Sequence, residues 1–104
     1  MDEASTLYAK LLGETAVISW AELQPFFARG ALLHVAADAD LVEVATAVAE
    51  DDAARIGGWL ASGALAKVGE EQARLWLEQD PTLWAVVVAP WVLVQQRERG
   101  EAVH

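Results

Sequence analysis

The apolar segment at residues 83–94 places the strongest constraint on how this chain can fold. Its residues are Leu, Trp, Ala and Val on both alternating sides, and Pro90 interrupts it. Apolar residues on both sides are typical of a strand that is covered on both faces, and proline is tolerated in a sheet only at an edge or a bulge. We therefore predict a buried strand over residues 84–94, covered on both faces or bulged at Pro90. The run is shorter than the ~20 residues that span a bilayer, which argues against a membrane anchor.

Helix signals divide the first third of the chain. The spacing of apolar residues predicts a short helix over residues 5–12. Ser19, with Glu22 three residues later, has the spacing of a capping box, which predicts a second helix that begins there and stops at Gly30. Pro25 removes one backbone hydrogen bond from this helix and should bend it.

Aspartates mark the next two helices. Asp40 and Asp52 are placed as N-caps, and an acidic turn at residues 50–52 separates the two helices that they open. The second of these helices ends at Gly63, and a further helix follows Gly69.

Short apolar stretches lie between the helices. Residues 31–36 and 65–68 predict strands, and residues 16–18 predict a brief extended stub. With residues 84–94 they predict an α+β fold, in which several helices pack on a small mixed sheet of about three strands.

Length and composition limit the class of protein. A chain of 104 residues has the size of one domain, and we predict a single domain over residues 1–104, with an ordered core at about 5–95 and a polar tail at 96–104. The chain has no cysteine, which excludes disulfides, thiolate zinc sites and thiol nucleophiles and fits a cytoplasmic protein. A formal net charge of -9 repels phosphate backbones and anionic lipids, so it disfavours nucleic acid and membrane partners.

From Trp20 onward the predicted order of elements resembles the connectivity of a winged helix-turn-helix domain, with a helix inserted before the last strand. An unrelated packed pair of helices followed by a strand is the alternative. The second helix of the pair has Arg55 as its one basic residue, beside Gly57 and Gly58. DNA readout needs several basic or amide side chains, so we predict that this helix does not bind DNA.

No combination of residues in the sequence predicts an active site. Asp38, Asp40 and Glu43 could supply oxygen ligands to a cation, but their spacing matches no Ca²⁺ loop and helix capping explains it. His34 has no second ligand or acid-base partner near it in sequence, and a partly buried strand residue is its simpler interpretation. We predict no catalytic, cofactor or metal site.

Five tryptophans are the unusual part of the composition. Tryptophan is rarely fully buried and is enriched where proteins bind one another. We therefore predict an interaction surface that combines tryptophans with the acidic turn. If the outer face of residues 84–94 is uncovered, we also predict a homodimer through that segment. The candidate surface residues are Trp84, Trp91, Trp59, Asp51 and Asp52.

Four segments of the chain are similar to a known family. They are LYAKLLGET at residues 7–15, ISWAEL at 18–23, DLVEVA at 40–45 and VVAPWVLVQ at 87–95. In these segments the chain resembles the DUF2288 family, a group of small bacterial proteins of unassigned function. The resemblance implies a stand-alone bacterial protein, and it supplies no catalytic residues.

Three functions are open to such a chain. The leading hypothesis is a non-catalytic protein-interaction or regulatory module. The first alternative is a small-molecule binder or enzyme that uses His34 with one acidic cluster at a dimer interface. The second is a degenerate winged-helix nucleic-acid binder, which requires the basic side chains to gather on one face despite the net charge. Those basic residues are Arg55, Lys67, Arg74, Arg97 and Arg99.

Overall fold

The computed structural model describes residues 3–97 of the chain. Most of the predicted polar tail, with Arg99, lies outside these residues. Helices and strands alternate along the described part. In chain order they are α1 (Glu3–Glu14), β1 (Ala16–Ile18), α2 (Trp20–Ala28), β2 (Leu32–Val35), α3 (Leu41–Ala49), α4 (Ala53–Ser62), β3 (Leu65–Lys67), α5 (Glu70–Gln79), β4 (Leu83–Val88) and β5 (Trp91–Gln96).

The strands form one mixed sheet in the order β1-β4-β5-β2-β3. β2 and β5 are parallel, and the other neighbouring pairs are antiparallel. The predicted α+β fold with a mixed sheet is therefore confirmed. The prediction of about three strands is an undercount, because the described residues contain a sheet of five.

The undercount arises mainly at residues 84–94, which form a hairpin and not one bulged strand. Val88 pairs with Trp91, so Ala89 and Pro90 make a two-residue turn between β4 and β5, joined by a cis peptide bond. Proline has no N–H to give to a ladder, and at a turn none is needed. The other additional strand is β1, the predicted stub, which pairs with β4 at the edge of the sheet.

The predicted helix caps are confirmed. The backbone N–H of Glu22 donates to Ser19 Oγ at 3.2 Å, and the Ser19 N–H donates to Glu22 Oε2 at 3.3 Å, which completes the capping box. Asp40 Oδ1 accepts from the N–H groups of the second and third residues after it at 3.0 and 3.2 Å. Asp52 Oδ1 accepts from the Arg55 N–H at 3.3 Å. These bonds satisfy amide groups that the first turn of a helix leaves unpaired.

Helices cover both faces of the sheet. α1, α3 and α4 pack on what we call the first face, and α2 and α5 pack on the second face. Alternate residues of β5 show the division, since Leu93 belongs to the core of the first face and Val92 and Val94 belong to the core of the second. Successive side chains of a strand point to opposite faces, so an apolar residue at every position requires cover on both.

The order of the later elements also agrees with the sequence. α3 and α4 are followed by β3, and α5 lies between β3 and β4, where an inserted helix was predicted. The likeness of this connectivity to a winged-helix domain stays a prediction. β5 extends to Gln96, one residue into the predicted tail. None of the described helices is long and apolar enough to cross a membrane.

Candidate functional site

A cleft of about 290 Å³ lies on the first face, where α4 meets the edge of the sheet. Its walls are mainly apolar side chains, with one acidic and one basic residue. We call it the Trp91 cleft. It is lined by Leu33, Val48, Asp51, Ile56, Leu60, Leu65, Lys67 and Trp91.

The position of α4 explains why this cleft is open. Ile56 and Leu60 are four residues apart and therefore lie on one side of the helix. α4 packs over β3, which is the edge strand of the sheet, and none of its residues is fully buried. Leu60 is consequently 53% exposed, although it belongs to the apolar side of an amphipathic helix. An apolar surface is thus left without a covering element in the described part of the chain.

The acidic turn is fixed beside the cleft by backbone hydrogen bonds. Asp51 has left-handed backbone geometry with a φ of 57°, a conformation that Asp and Asn adopt more often than other non-glycine residues. Its N–H donates to the Val48 carbonyl at 3.1 Å, and the N–H of Asp52 donates to the Ala47 carbonyl at 2.9 Å. The Asp52 carboxylate caps α4. The Asp51 carboxylate, in contrast, forms no hydrogen bond or ion pair with any described residue.

Lys67 brings a positive charge to the same cleft from β3. It lies opposite Leu33 in the β2–β3 ladder, which places its side chain on the first face. Its ammonium group forms no ion pair with a described residue. The Trp91 cleft therefore presents an apolar interior with one carboxylate and one ammonium group that are available to a partner.

The structure brings only two of the five predicted surface residues into this cleft, Trp91 and Asp51. Trp84 and Trp91 both pack on the first-face core, but they lie at opposite ends of the hairpin, opposite Gln95 and Val88 respectively. At its own end Trp84 is covered by Arg97, whose guanidinium lies 4.9 Å from the ring centroid. Trp84 is therefore not part of the cleft.

Trp59 lies on α4 but does not line the cleft. The guanidinium of Arg55, one helical turn earlier, lies 5.1 Å from the centroid of the Trp59 ring. Arg55 also pairs with Glu43 of α3. This cation–π and ion-pair arrangement ties α3 to α4. Trp59 and the capping residue Asp52 thus have structural partners of their own.

His34 lies on the other side of the sheet from both acidic clusters. Its ring meets the Trp76 ring edge-on at a centroid distance of 5.2 Å, and Trp76 belongs to the second-face core. Burial lowers the pKa of the His34 imidazole from its ordinary value. Within one chain, no carboxylate of either acidic cluster lies beside His34. The chain therefore does not form a site that combines His34 with an acidic cluster.

The first acidic cluster is occupied by structural contacts. Asp40 caps α3 and also accepts a 2.9 Å hydrogen bond from the Tyr8 hydroxyl of α1. This hydrogen bond, more than burial, raises the pKa of Tyr8. Among the described residues, no group of three or more His, Asp or Glu side chains could hold a metal ion.

The described basic residues of the nucleic-acid hypothesis lie on both faces of the sheet. Arg55 pairs with Glu43, while Arg74 of α5 pairs with Glu71 and Glu78 on the second face. Lys67 lies in the Trp91 cleft, and Arg97 covers Trp84 at the other end of the hairpin. Each arginine named here therefore already has a carboxylate or a ring as its partner.

Leu60 and Lys67 line the cleft but are absent from the predicted interaction surface, since Lys67 was considered only as a nucleic-acid contact. The spacing of α4 indicates an apolar side for Leu60, but only the position of the helix at the sheet edge exposes it. Lys67 reaches the cleft because β3 pairs with β2, which no local pattern around Lys67 reveals. The stacking of Arg55 on Trp59, in contrast, could have been found from their spacing of four residues.

Comparison with known proteins agrees with the resemblance noted in the sequence. The family model of DUF2288, described as a protein of unknown function, matches residues 6–96. The NMR solution structure of PA1075 from Pseudomonas aeruginosa is 68% identical, covers 96% of this chain and 93% of its own, and superimposes with a TM-score of 0.82. No curated protein matched the chain. The family match spans nearly the whole chain, and the chain is a member of the DUF2288 family.

Proposed function

We propose that this protein is a non-catalytic interaction module and that the Trp91 cleft is its docking surface for another protein. The observation that carries the proposal is the apolar wall of the cleft, formed by the exposed Leu60 and the half-buried Trp91. Interface hot spots are anchors that fill a pocket with apolar walls and a polar rim.

The size of the cleft fits an anchor side chain. At about 290 Å³ it is at the lower end of the range of about 300–1,000 Å³ that small-molecule sites usually enclose. It can accept one large apolar side chain from a partner surface.

Charge defines the surroundings of that anchor. Residues 50–52 form an acidic turn beside the cleft, and the whole chain carries a net charge of -9. The Asp51 carboxylate is without a partner in the described part of the chain, so a basic group can approach it. The three acidic residues of the turn outnumber the one ammonium group of the cleft, that of Lys67. We therefore infer that the partner presents a large apolar residue next to Lys or Arg, because complementary charge steers such an encounter.

Selection of peptides tests this proposal directly. A displayed library of random peptides, selected against the full chain, should yield sequences with a large apolar residue beside Lys or Arg. In two-dimensional NMR the selected peptide should shift the Trp91 indole N–H signal. The variant Leu60→Glu should weaken binding at least about tenfold, because it buries a charge in the apolar contact.

Leu77→Glu provides the matched control, since Leu77 is an exposed leucine of α5 on the second face. This variant should bind the selected peptide like the unaltered chain. Equal binding by the Leu60→Glu variant, or a selection without an apolar and basic consensus, contradicts the proposal. Turnover of a metabolite that is lost on replacement of His34 would favour the enzyme alternative instead.

Self-association is the second candidate, and the edge strand β1 favours it. Val17 in β1 is 59% exposed, and Leu12 at the end of α1 is also exposed. β4 and β5 are inner strands of the sheet, so a strand-paired dimer requires β1 or β3 and not residues 84–94. Sedimentation at high micromolar concentration should then show a dimer that Val17→Lys dissociates. A monomer at that concentration contradicts this candidate.

A further inference from the structure

A second concave surface lies on the opposite face of the sheet, next to the β4–β5 turn. Its volume is about 420 Å³. α2 and α5 do not cover this end of the second face, so Val87 is 58% exposed, whereas Ala85, two residues earlier on the same side of β4, is 7% exposed. We call this surface the Arg29 hollow. Its principal lining residues are Phe26, Arg29, Ala31, Val87, Pro90 and Val92.

Arg29 is the only charged residue among the described residues that line the hollow. The chain as a whole has 16 acidic residues and 7 basic ones. Arg55 of α4 and Arg74 of α5 are paired with carboxylates, and Arg97 lies over Trp84 and donates to Gln95 Oε1. Arg29 has no carboxylate partner in the described part of the chain.

The guanidinium of Arg29 is held in a defined position. It lies over the Phe26 ring, with its central carbon 4.8 Å from the ring centroid. Its Nε donates to the Pro25 carbonyl at 3.3 Å. The two terminal nitrogens form no hydrogen bond with a described residue. A guanidinium fixed in this way keeps the paired donors that match the two oxygens of a carboxylate.

We propose that the Arg29 hollow binds a small organic carboxylate. The apolar body of the ligand packs against Phe26, Val87 and Val92, and its carboxylate accepts hydrogen bonds from the terminal nitrogens of Arg29. The volume lies within the usual range of small-molecule sites. The inference does not depend on the proposed docking function, because the two surfaces lie on opposite faces of the sheet.

The test is an NMR titration of the full chain with 4-phenylbutyrate, compared with the uncharged 4-phenylbutanol. The acid should shift the backbone amide signals of Ala31, Val87 and Val92 in a saturable manner. The alcohol has the same apolar body but cannot pair with Arg29, so it should bind about tenfold more weakly.

Arg29→Gln should lower the affinity for the acid by about tenfold, to the level of the alcohol, without changing the affinity for the alcohol itself. The residue is exposed, and an unchanged amide spectrum away from α2 shows that the variant is folded. Arg74→Gln is the matched control, because it removes an exposed arginine of the same face that does not line the hollow. It should leave the affinity for the acid unchanged.

Three results overturn the proposal. They are equal affinities for the acid and the alcohol, equal affinities of the Arg29→Gln variant and the unaltered chain for the acid, and the absence of saturable shifts at the hollow. Shifts confined to the Trp91 indole signal would place the ligand on the other face and would also contradict it. Loss of peptide binding in the Leu60→Glu variant leaves this test unaffected.

Discussion

The indole Nε1 of Trp76 donates a 2.9 Å hydrogen bond to the side-chain Oε1 of Gln96. Trp76 is the largest fully buried side chain of the protein's described part, and Gln96 is the last residue of β5. Buried indole N–H groups usually have an acceptor, and this bond fastens α5 to the end of the central hairpin.

Replacement of Gln96 by leucine should therefore destabilise the protein. The change leaves the buried Trp76 N–H without an acceptor, which costs about 1–3 kcal/mol. Urea unfolding monitored by tryptophan fluorescence measures the loss. Gln79→Leu is the control, because Gln79 is an exposed residue at the end of α5, and it should change the free energy of unfolding by less than about 0.5 kcal/mol. Equal losses in the two variants would show that the hydrogen bond is unimportant.

Asp40→Ala should destabilise the protein by about 1–2 kcal/mol, since it removes the cap of α3. It also removes the acceptor of the Tyr8 hydroxyl, so the pKa of Tyr8 should fall toward its ordinary value of about 10. Absorbance at 295 nm follows the tyrosine titration, and Tyr8 is the one tyrosine of the chain. Asp38→Ala should change neither quantity. An unaltered tyrosine titration in Asp40→Ala would contradict the assigned cause.

The Tyr8 contact also predicts a loss of stability in alkali. The folded-state pKa of Tyr8 is raised above the unfolded value. The contribution of the protonated Tyr8 hydroxyl to the free energy of unfolding is therefore complete below about pH 10 and is lost as the pH rises through the folded-state pKa. Unfolding free energies of the unaltered chain and of Tyr8→Phe should therefore converge above that pH. A constant difference between the two chains from pH 8 to 11 would argue against this linkage.

The partly buried His34 predicts a loss of stability in mild acid. Burial lowers its folded-state pKa below the unfolded value of about 6.5, so the unfolded chain binds the proton more readily. The contribution of neutral His34 to the free energy of unfolding is complete above about pH 6.5 and is lost as the pH falls through the folded-state pKa. The stability difference between the unaltered chain and His34→Gln should shrink over this interval. The chain has two histidines, and an NMR titration of a His104→Asn variant would give the His34 pKa alone.

Two leucines of the first face should respond very differently to truncation. Leu93 in β5 is fully buried, so Leu93→Ala should cost about 2–5 kcal/mol through the lost contacts and the cavity. Leu60→Ala should cost less than about 1 kcal/mol, because the Leu60 side chain is already largely in water. Thermal or urea unfolding measures the loss of stability in each of the two variants. A large loss in Leu60→Ala would mean that the leucine serves the core and not the cleft.

Local signals were predictable from the sequence, and pairings over long distances were not. The capping box of Ser19 and Glu22 depends on residues three positions apart, so the sequence contains the whole motif. The hairpin at Pro90 was misinterpreted because an apolar residue at every position has no period that shows where the chain reverses. Pro90 was the available signal, and a bulge and a turn both explain it.

The candidate site shows the same limit. Trp91 and Asp51 were both predicted as surface residues, yet they are separated by 40 positions and meet only because β5 lies beside β2. Trp84 shares the composition of its segment with Trp91, but the reversal of the chain moves it to the other end of the sheet. Residue type predicted which side chains could bind a partner, and topology decided which of them lie together.

The central place of β5 has a consequence for biosynthesis. β5 lies between two pairs of strands, β1 and β4 on one side and β2 and β3 on the other. It is also the last described strand in the chain. While a ribosome is still translating the codons before Trp91, the nascent polypeptide holds two pairs of strands with no ladder between them. The two halves of the sheet can join only after residues 91–96 have left the exit tunnel, so the segment that completes the sheet is the one that is translated last among the described strands.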